Sequence, residues 1–153
     1  AVMTKEEFVQ HVKSDTLPMY RLAYSILQNS ADAEDAVSEA IVHAYEKLDT
    51  LKKADSFRNW ILQIAANEAK KIYRQNKRTS PVEWEENLSP EFYDEHHELW
   101  DAVMQLDGGY RDVIVLFYYE RCTIPETSRI LECRQGTVKS RLHRAKEQLR
   151  AML

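Results

Sequence analysis

Apolar residues recur along this chain at three- and four-residue steps, with no stretch of strict alternation. The clearest run is Ala36, Val37, Ala40, Ile41, Ala44, Tyr45 and Leu48, one broad stripe of a helix. Ser30 or Asp32 is placed to cap it, and Asp32, Glu34 and Asp35 suit the positive end of its dipole. Before it, Phe8 and Val12 predict a short first helix. Met19, Leu22, Ala23, Ile26 and Leu27 predict a second, ending near Asn29-Ser30. After a polar loop from Asp49 to Asp55, a fourth helix starts at an Asp55 or Ser56 cap and runs to about Lys77. Four more helices follow further along. Leu99, Val103 and Leu106 mark one, broken by Asp107-Gly108-Gly109, and Tyr110, Val113, Ile114 and Phe117 mark the next. Short helices then fit Ile124 to Leu131 and Gln135 to Leu149.

The fold class expected is therefore all-α, as two small helical domains joined by an acidic linker, the second ending in a helix-turn-helix. With 153 residues, 44% of them hydrophobic, the chain can bury a core. Three Gly and four Pro suit helices. Charge sharpens the division. Residues 1–78 carry 12 Lys/Arg against 11 Asp/Glu, residues 79–98 none against seven, and residues 99–153 nine against seven. The net −4 thus comes from the middle, and both flanks are slightly basic. Glu83, Glu85, Glu86, Glu91, Asp94, Glu95 and Glu98 repel one another, and Thr79-Ser80-Pro81 and Ser89-Pro90 interrupt helices. The expected domains are 3–78 and 99–153, with 79–98 as linker. Trp84, Leu88, Phe92 and Tyr93 are apolar exceptions within it.

Cys122 and Cys133 are too few for a disulfide framework and lack metal spacing, so they read as small buried hydrophobes in a reducing compartment. His96-His97 reads as solvated. No apolar run reaches the roughly 20 residues of a membrane span, and the charged, mixed N-terminus does not read as a signal peptide. A cytoplasmic location without direct membrane insertion is expected.

Two helices carry candidate chemistry. At about 100° per residue, the fourth helix puts Phe57, Ile61, Ile64, Ala65 and Ile72 on one side. Trp60, Asn67, Lys71, Arg74 and Arg78 form a narrow stripe elsewhere, with Gln63 and Lys70 beside it. Cations on such a stripe neutralise phosphates, and an aromatic can stack on an unpaired base. The last helix puts Val138, Leu142, Ala145 and Leu149 on one face and Gly136, Lys139, Ser140, His143, Arg144 and Glu147 on the other. A recognition helix needs this division, apolar towards its domain and cationic or hydrogen-bonding towards base edges. The turn at Glu132-Cys133-Arg134 has the length of a helix-turn-helix.

The string Gly136-Thr137-Val138-Lys139-Ser140-Arg141-Leu142-His143-Arg144-Ala145-Lys146 resembles the recognition helix of bacterial RNA polymerase sigma factors, most closely the small extracytoplasmic-function (ECF) group of the sigma-70 family. Asp32-Ala33-Glu34-Asp35-Ala36-Val37-Ser38-Glu39-Ala40 resembles that family's core-polymerase-binding helix. Phe57-Arg58-Asn59-Trp60-Ile61, with Ile64-Ala65-Ala66-Asn67 and Arg74, resembles its promoter-melting helix. Leu106 with Arg111-Asp112-Val113 resembles the start of its second domain. The motifs stand in family order over nearly the whole chain.

The resemblance implies a transcription initiation factor that is not an enzyme and has no catalytic residues, metal site or cofactor. Its implied partners are core RNA polymerase, promoter DNA and an anti-sigma factor. Asp32, Asp35, Ser38 and Glu39 would meet a coiled-coil of the polymerase, and the loop from Leu48 to Ser56 would hold a flipped base. Lys52, Lys53, Arg58, Asn59, Trp60, Asn67, Lys70, Lys71, Arg74 and Arg78 would serve the minus-ten element. Lys139, Ser140, His143 and Arg144 would read the minus-thirty-five element, with Gly136 and Thr137 beside them and Arg134 and Arg141 on phosphates.

The chain departs from the family at several positions. Ser38 stands for a usual Gln. Gly108-Gly109 stands near a usual Pro and suggests a looser turn. Thr127 and Ser128 replace apolar and Ala residues, Glu132 replaces a turn glycine, and Arg134 replaces a capping Ser. Pro125 is tolerable in a first helical turn. A simple DNA-binding regulator is the alternative, but it leaves the Asp32–Glu39 motif and the Trp60 stripe unexplained. An adaptor that has lost DNA activity is another. An enzyme finds no Ser/His/Asp order, phosphate loop or metal spacing to support it.

Overall fold

The computed structural model describes residues 2–79 and 97–153, with side chains omitted at 78 and 79. The expected linker aromatics Trp84, Phe92 and Tyr93, with Leu88 and His96, lie outside the described residues. Helices make up the ordered elements, and the described residues contain no strand.

The first helix, α1, runs without interruption over Lys5–Leu27, so the two separate helices expected here are one. Thr4 and Glu7 close its start reciprocally: Glu7 N–H donates to Thr4 Oγ1 at 3.1 Å, and Thr4 N–H to Glu7 Oε1 at 3.0 Å. Pro18 lies inside the helix and is buried. A proline there costs about 3 kcal/mol locally. The helix continues because Phe8, Met19, Leu22, Ala23, Ile26 and Leu27 are all buried, and tertiary burial outweighs local propensity. Gln28, in the left-handed region at φ 51°, stops it.

Asn29, rather than Ser30 or Asp32, caps α2 (Ser30–Glu46), its side chain accepting the Asp32 N–H at 2.9 Å. The buried stripe of α2 is mostly small (Ala33, Ala36, Val37, Ala40 and Ala44), while Tyr45 is exposed and meets Phe8 edge-on. Two 3₁₀ turns, Leu48–Thr50 and Ala54–Ser56, lead into α3 (Phe57–Thr79). Phe57, Ile61, Leu62, Ala65, Ala66 and Ala69 are buried, and α1, α2 and α3 pack mutually into one bundle.

The C-terminal part begins with α4 (His97–Met104), so His97 and Glu98 open a helix instead of ending a linker. Next comes α5 (Gly108–Ile114), and Gly108 and Gly109 form its first turn, neither with positive φ. They are not a loose break. A Cβ on Gly109 would meet the Arg141 guanidinium at 3.4 Å, an ordinary van der Waals contact. A π-helical turn, Val115–Tyr119, follows, with Glu120 N–H donating to the Val115 carbonyl at 3.0 Å. Then come α6 (Ile124–Leu131) and α7 (Gln135–Met152).

Both parts share one apolar cluster. The fold docks α5 against α1 and α6 against α3. At that seam Tyr24 meets Trp100 at 6.4 Å between ring centres, and Arg111 Nε donates to the Ser25 carbonyl at 2.6 Å.

Candidate nucleic-acid interface

The helix-turn-helix is built from local rules with two exceptions. Thr123 caps α6 in a reciprocal box with Glu126, and Pro125 falls in its first turn, where no N–H is needed. The Glu126 carboxyl is held below its usual range, first by the Thr123 N–H. Glu132 ends α6 in the left-handed region at φ 55°, a conformation that suits glycine. Arg134 stands at the N-cap of α7 without a side-chain capping bond. Ser128 Oγ donates to the Cys133 carbonyl, and Cys133 N–H returns to the Ser128 carbonyl at 3.1 Å, which pins the turn.

On α7, Val138, Leu142 and Ala145 are buried, and Leu149 is half-buried. Arg134, Gly136, Lys139, Ser140, His143 and Arg144 are exposed, and Thr137 and Arg141 half-buried. His143 Nε2 lies 3.0 Å from Glu147 Oε1, one turn on. A groove of about 520 Å³ runs between the start of α5 and this face, lined by Gly136, Thr137, Ser140, Arg141 and Arg144.

The polar side of α3 divides into two neighbouring stripes. Asn67, Lys71 and Arg74 are exposed, with Trp60 half-buried on the same line. The adjacent stripe meets the C-terminal domain. Asn59 Nδ2 donates to Glu126, Gln63 Nε2 to Glu132 Oε1 at 3.1 Å, and Lys70 Nζ to the Leu131 carbonyl at 2.9 Å. Arg58 Nη2 reaches Glu120 Oε2 at 3.1 Å. So Arg58, Asn59 and Lys70, expected on the DNA side, contact the other half of the chain. The side chain of Arg78 lies outside the description.

Lys52 and Lys53 are exposed. They border a cavity of about 320 Å³ with Leu51, Ser56 and Trp60, whose far wall is Glu126, Arg129 and Ile130 of α6. On α2, Asp35, Ser38 and Glu39 are exposed, whereas Asp32 accepts from Asn76 of α3 at 2.8 Å. Cys122 is buried, and burial pushes its thiol up to about 11; Cys133 is half-buried, and neither is in a disulfide. Among the described residues no group of three His, Cys, Asp or Glu is placed to hold a metal ion, and no helix is long and apolar enough to cross a membrane.

The sequence reading missed Glu120, the centre of the seam. It is 2% exposed and accepts from Arg21 Nε at 2.6 Å and from Arg58. One signal was available: Arg21 interrupts the apolar run of α1, and a lone cation there needs a buried partner. Nothing around Glu120 in the sequence marks it as that partner. Asp112 of α5, also at the seam, accepts from Ser25 Oγ of α1 at 3.1 Å, and burial raises its carboxyl to about 6.

A helix-turn-helix with an open cationic face, docked on a bundle bearing a second cationic helix, defines a nucleic-acid-binding protein. Known proteins narrow it. The sigma-70 region 2 family model matches residues 14–79, and the sigma-70 region 4 family model matches residues 96–149. The ECF RNA polymerase sigma factor SigW of Bacillus subtilis is 31% identical, over 88% of this chain and 82% of its own. The RNA polymerase sigma factor SigV of the same organism is 29% identical, over 98% and 93%. Among solved structures, the sigma factor RpoE in complex with the anti-sigma factor NepR, from Bartonella quintana, superposes with a TM-score of 0.81 at 21% identity, covering 95% of this chain and 96% of that one. CnrH in complex with the cytosolic domain of CnrY gives 0.71 at 25%, covering 97% and 88%. This chain belongs to the ECF sigma factors of the sigma-70 family, whose members are transcription initiation factors that bind core RNA polymerase and promoter DNA.

Proposed function

We propose that this chain directs core RNA polymerase to specific promoters through three separate surfaces and catalyses no reaction itself. The observation that carries the reading is the division of α7: Val138, Leu142 and Ala145 hold the helix on its domain while Lys139, Ser140, His143 and Arg144 stand in solvent. In this reading residues 99–153 seat α7 in the major groove of the minus-thirty-five element, with Arg134 and Arg141 on flanking phosphates. Residues 3–78 serve the minus-ten element. Asn67, Lys71 and Arg74 neutralise the backbone of a separating strand. The cavity beside Lys52, Lys53 and Trp60 takes an unstacked base, and that capture offsets part of a melting cost of a few kcal/mol. Asp35, Ser38 and Glu39 meet the polymerase, the carboxylates pairing with basic side chains there. The protein acts in the cytoplasm and is held in check by an anti-sigma factor, a reading supported by the sigma factor RpoE solved in complex with the anti-sigma factor NepR.

In vitro transcription with core polymerase on a promoter library tests this. A specific set of transcripts is expected, and DNA binding with no specific transcript would turn the reading to a simple DNA-binding regulator. Arg144→Ala should weaken use of the upstream element by roughly tenfold, the scale of one base contact. Lys71→Ala should slow promoter opening while leaving duplex binding nearly intact.

A further inference from the structure

One group on the open face of α7 is out of character. Glu147 is the single side-chain carboxylate of that helix, set among Lys139, Arg141, Arg144, Lys146 and Arg150. A carboxylate near DNA repels phosphates, so on charge alone it weakens binding. Its ion pair is with His143, four residues back, rather than with Arg144. Oε1 lies 3.0 Å from His143 Nε2, and the His143 and Glu147 side chains are 75% and 61% exposed. As a stabiliser of the helix such an exposed pair contributes little. Its position says more. A recognition helix reads base edges with its N-terminal residues. Glu147 stands eight residues beyond Lys139, about 12 Å along the axis, and so behind the reading residues, with His143 midway. A carboxylate only accepts, so the imidazole nitrogen it meets carries a proton. In the neutral ring the other nitrogen, Nδ1, is then an acceptor.

We propose that Glu147 is a positioning residue for base reading. By taking the Nε2–H of His143 it fixes the ring with Nδ1 as the reading atom. At one position of the upstream element His143 then favours adenine or cytosine, which donate into the major groove through N6 and N4, over guanine or thymine, which present acceptors there. Glu147 acts through His143 and touches no base itself. This rests on the reading of α7 as the recognition helix.

The test uses the full chain with core polymerase on double-stranded DNA randomised across the upstream element, with sequencing of the bound fraction. It is run at pH 8, where an ordinary imidazole is neutral. In the natural chain one position should favour A or C over G or T. His143→Ala should relax that preference by roughly fivefold, and Glu147→Ala by roughly twofold at the same position and no other. Glu147→Gln removes the same charge but keeps an acceptor for the Nε2–H, so it should retain the preference. In the His143→Ala background, Glu147→Ala should change no base preference. A preference untouched by Glu147→Ala, altered at a different position, or still altered once His143 is gone would overturn the proposal. So would a His143-dependent position that favours G or T, or equal losses in the Gln and Ala variants. Arg144→Ala separates the two readings. If neither it nor His143→Ala changes any base preference, the recognition reading of α7 is what fails.

Discussion

The two cationic helices of this protein have similar sequences in outline and different surroundings in the fold. On α7 the polar face stands in solvent, and the ion pair on it is local, His143 to Glu147. On α3 half of the polar side is covered by the C-terminal domain, and the bonds there span sixty residues or more. A period of 3.6 residues tells which side of a helix is polar. It does not tell whether that side meets water, DNA or another polar surface of the same chain. The covered half of α3 therefore carries stability as well as contacts, and the open face of α7 is free for recognition alone.

The strongest way to break this contrast is to substitute on each side. Glu120→Ala should lower the stability of the docked domains by about 3 kcal/mol, at the lower end for a broken buried pair because Arg21 and Arg58 are left part-exposed. Lys139→Ala on the open face should change it by less than about 0.5 kcal/mol. Urea unfolding of both variants checks the pair, and equal losses would mean that the two faces do not differ.

The seam should also respond to pH through a buried carboxyl. Asp112 is surrounded by Ser25 of α1, Lys70 of α3, Arg111 on its own helix and Arg141 of α7, yet burial dominates and its carboxyl titrates at about 6 rather than the usual 3.8. Between those values the folded chain binds more protons than the unfolded chain. This contribution to stability therefore falls as pH rises through the window, and the full penalty stands above pH 6. Asp112→Asn removes it. The variant should be more stable than the natural chain above pH 6, by on the order of 3 kcal/mol, with the difference shrinking towards pH 4. Paired unfolding curves at pH 4, 5, 6 and 7 measure this. A difference that does not change with pH would count against a buried, titrating Asp112.

These seam groups show where sequence reading stops. Helix positions were legible because each helix hides an apolar stripe, and the bounds of α6 and the start of α7 follow from the Thr123 cap, Pro125 and the short turn. The open face of α7 was legible for the same reason. The single helix α1 was not legible because its apolar positions fall into two groups, Phe8 with Val12 and then Met19 onward, while the structure buries both against one bundle. Gly108-Gly109 misled because both glycines take helical backbone in the first turn of α5, where a glycine pair reads locally as a break. The partnership of Arg21, Arg58 and Glu120 was not legible, since it joins three helical segments whose docking no local pattern encodes.

A third comparison lies inside the helix-turn-helix, at the buried side of α6. Thr127 is 0% exposed, and among the described residues its hydroxyl has no hydrogen-bond partner. Thr127→Val keeps the shape and removes the unmet polar group, so it should stabilise the chain by about 1 kcal/mol. Unchanged or lower stability in thermal unfolding would mean that the hydroxyl is satisfied.

The smallest effect belongs to Glu132, where the two faces meet. Its backbone is left-handed at φ 55°, which costs a non-glycine residue about 1 kcal/mol. Its carboxylate meanwhile takes the Gln63 amide at an exposed position, where such a bond contributes little. Glu132→Gly relieves the first and forfeits the second, so a net gain of about 0.5 kcal/mol is expected. Gln63→Ala alone should be nearly neutral. If Glu132→Gly instead destabilised the chain by as much as Gln63→Ala did, the exposed contact would outweigh the backbone strain, and the covered stripe of α3 would extend to the very turn that precedes the recognition helix.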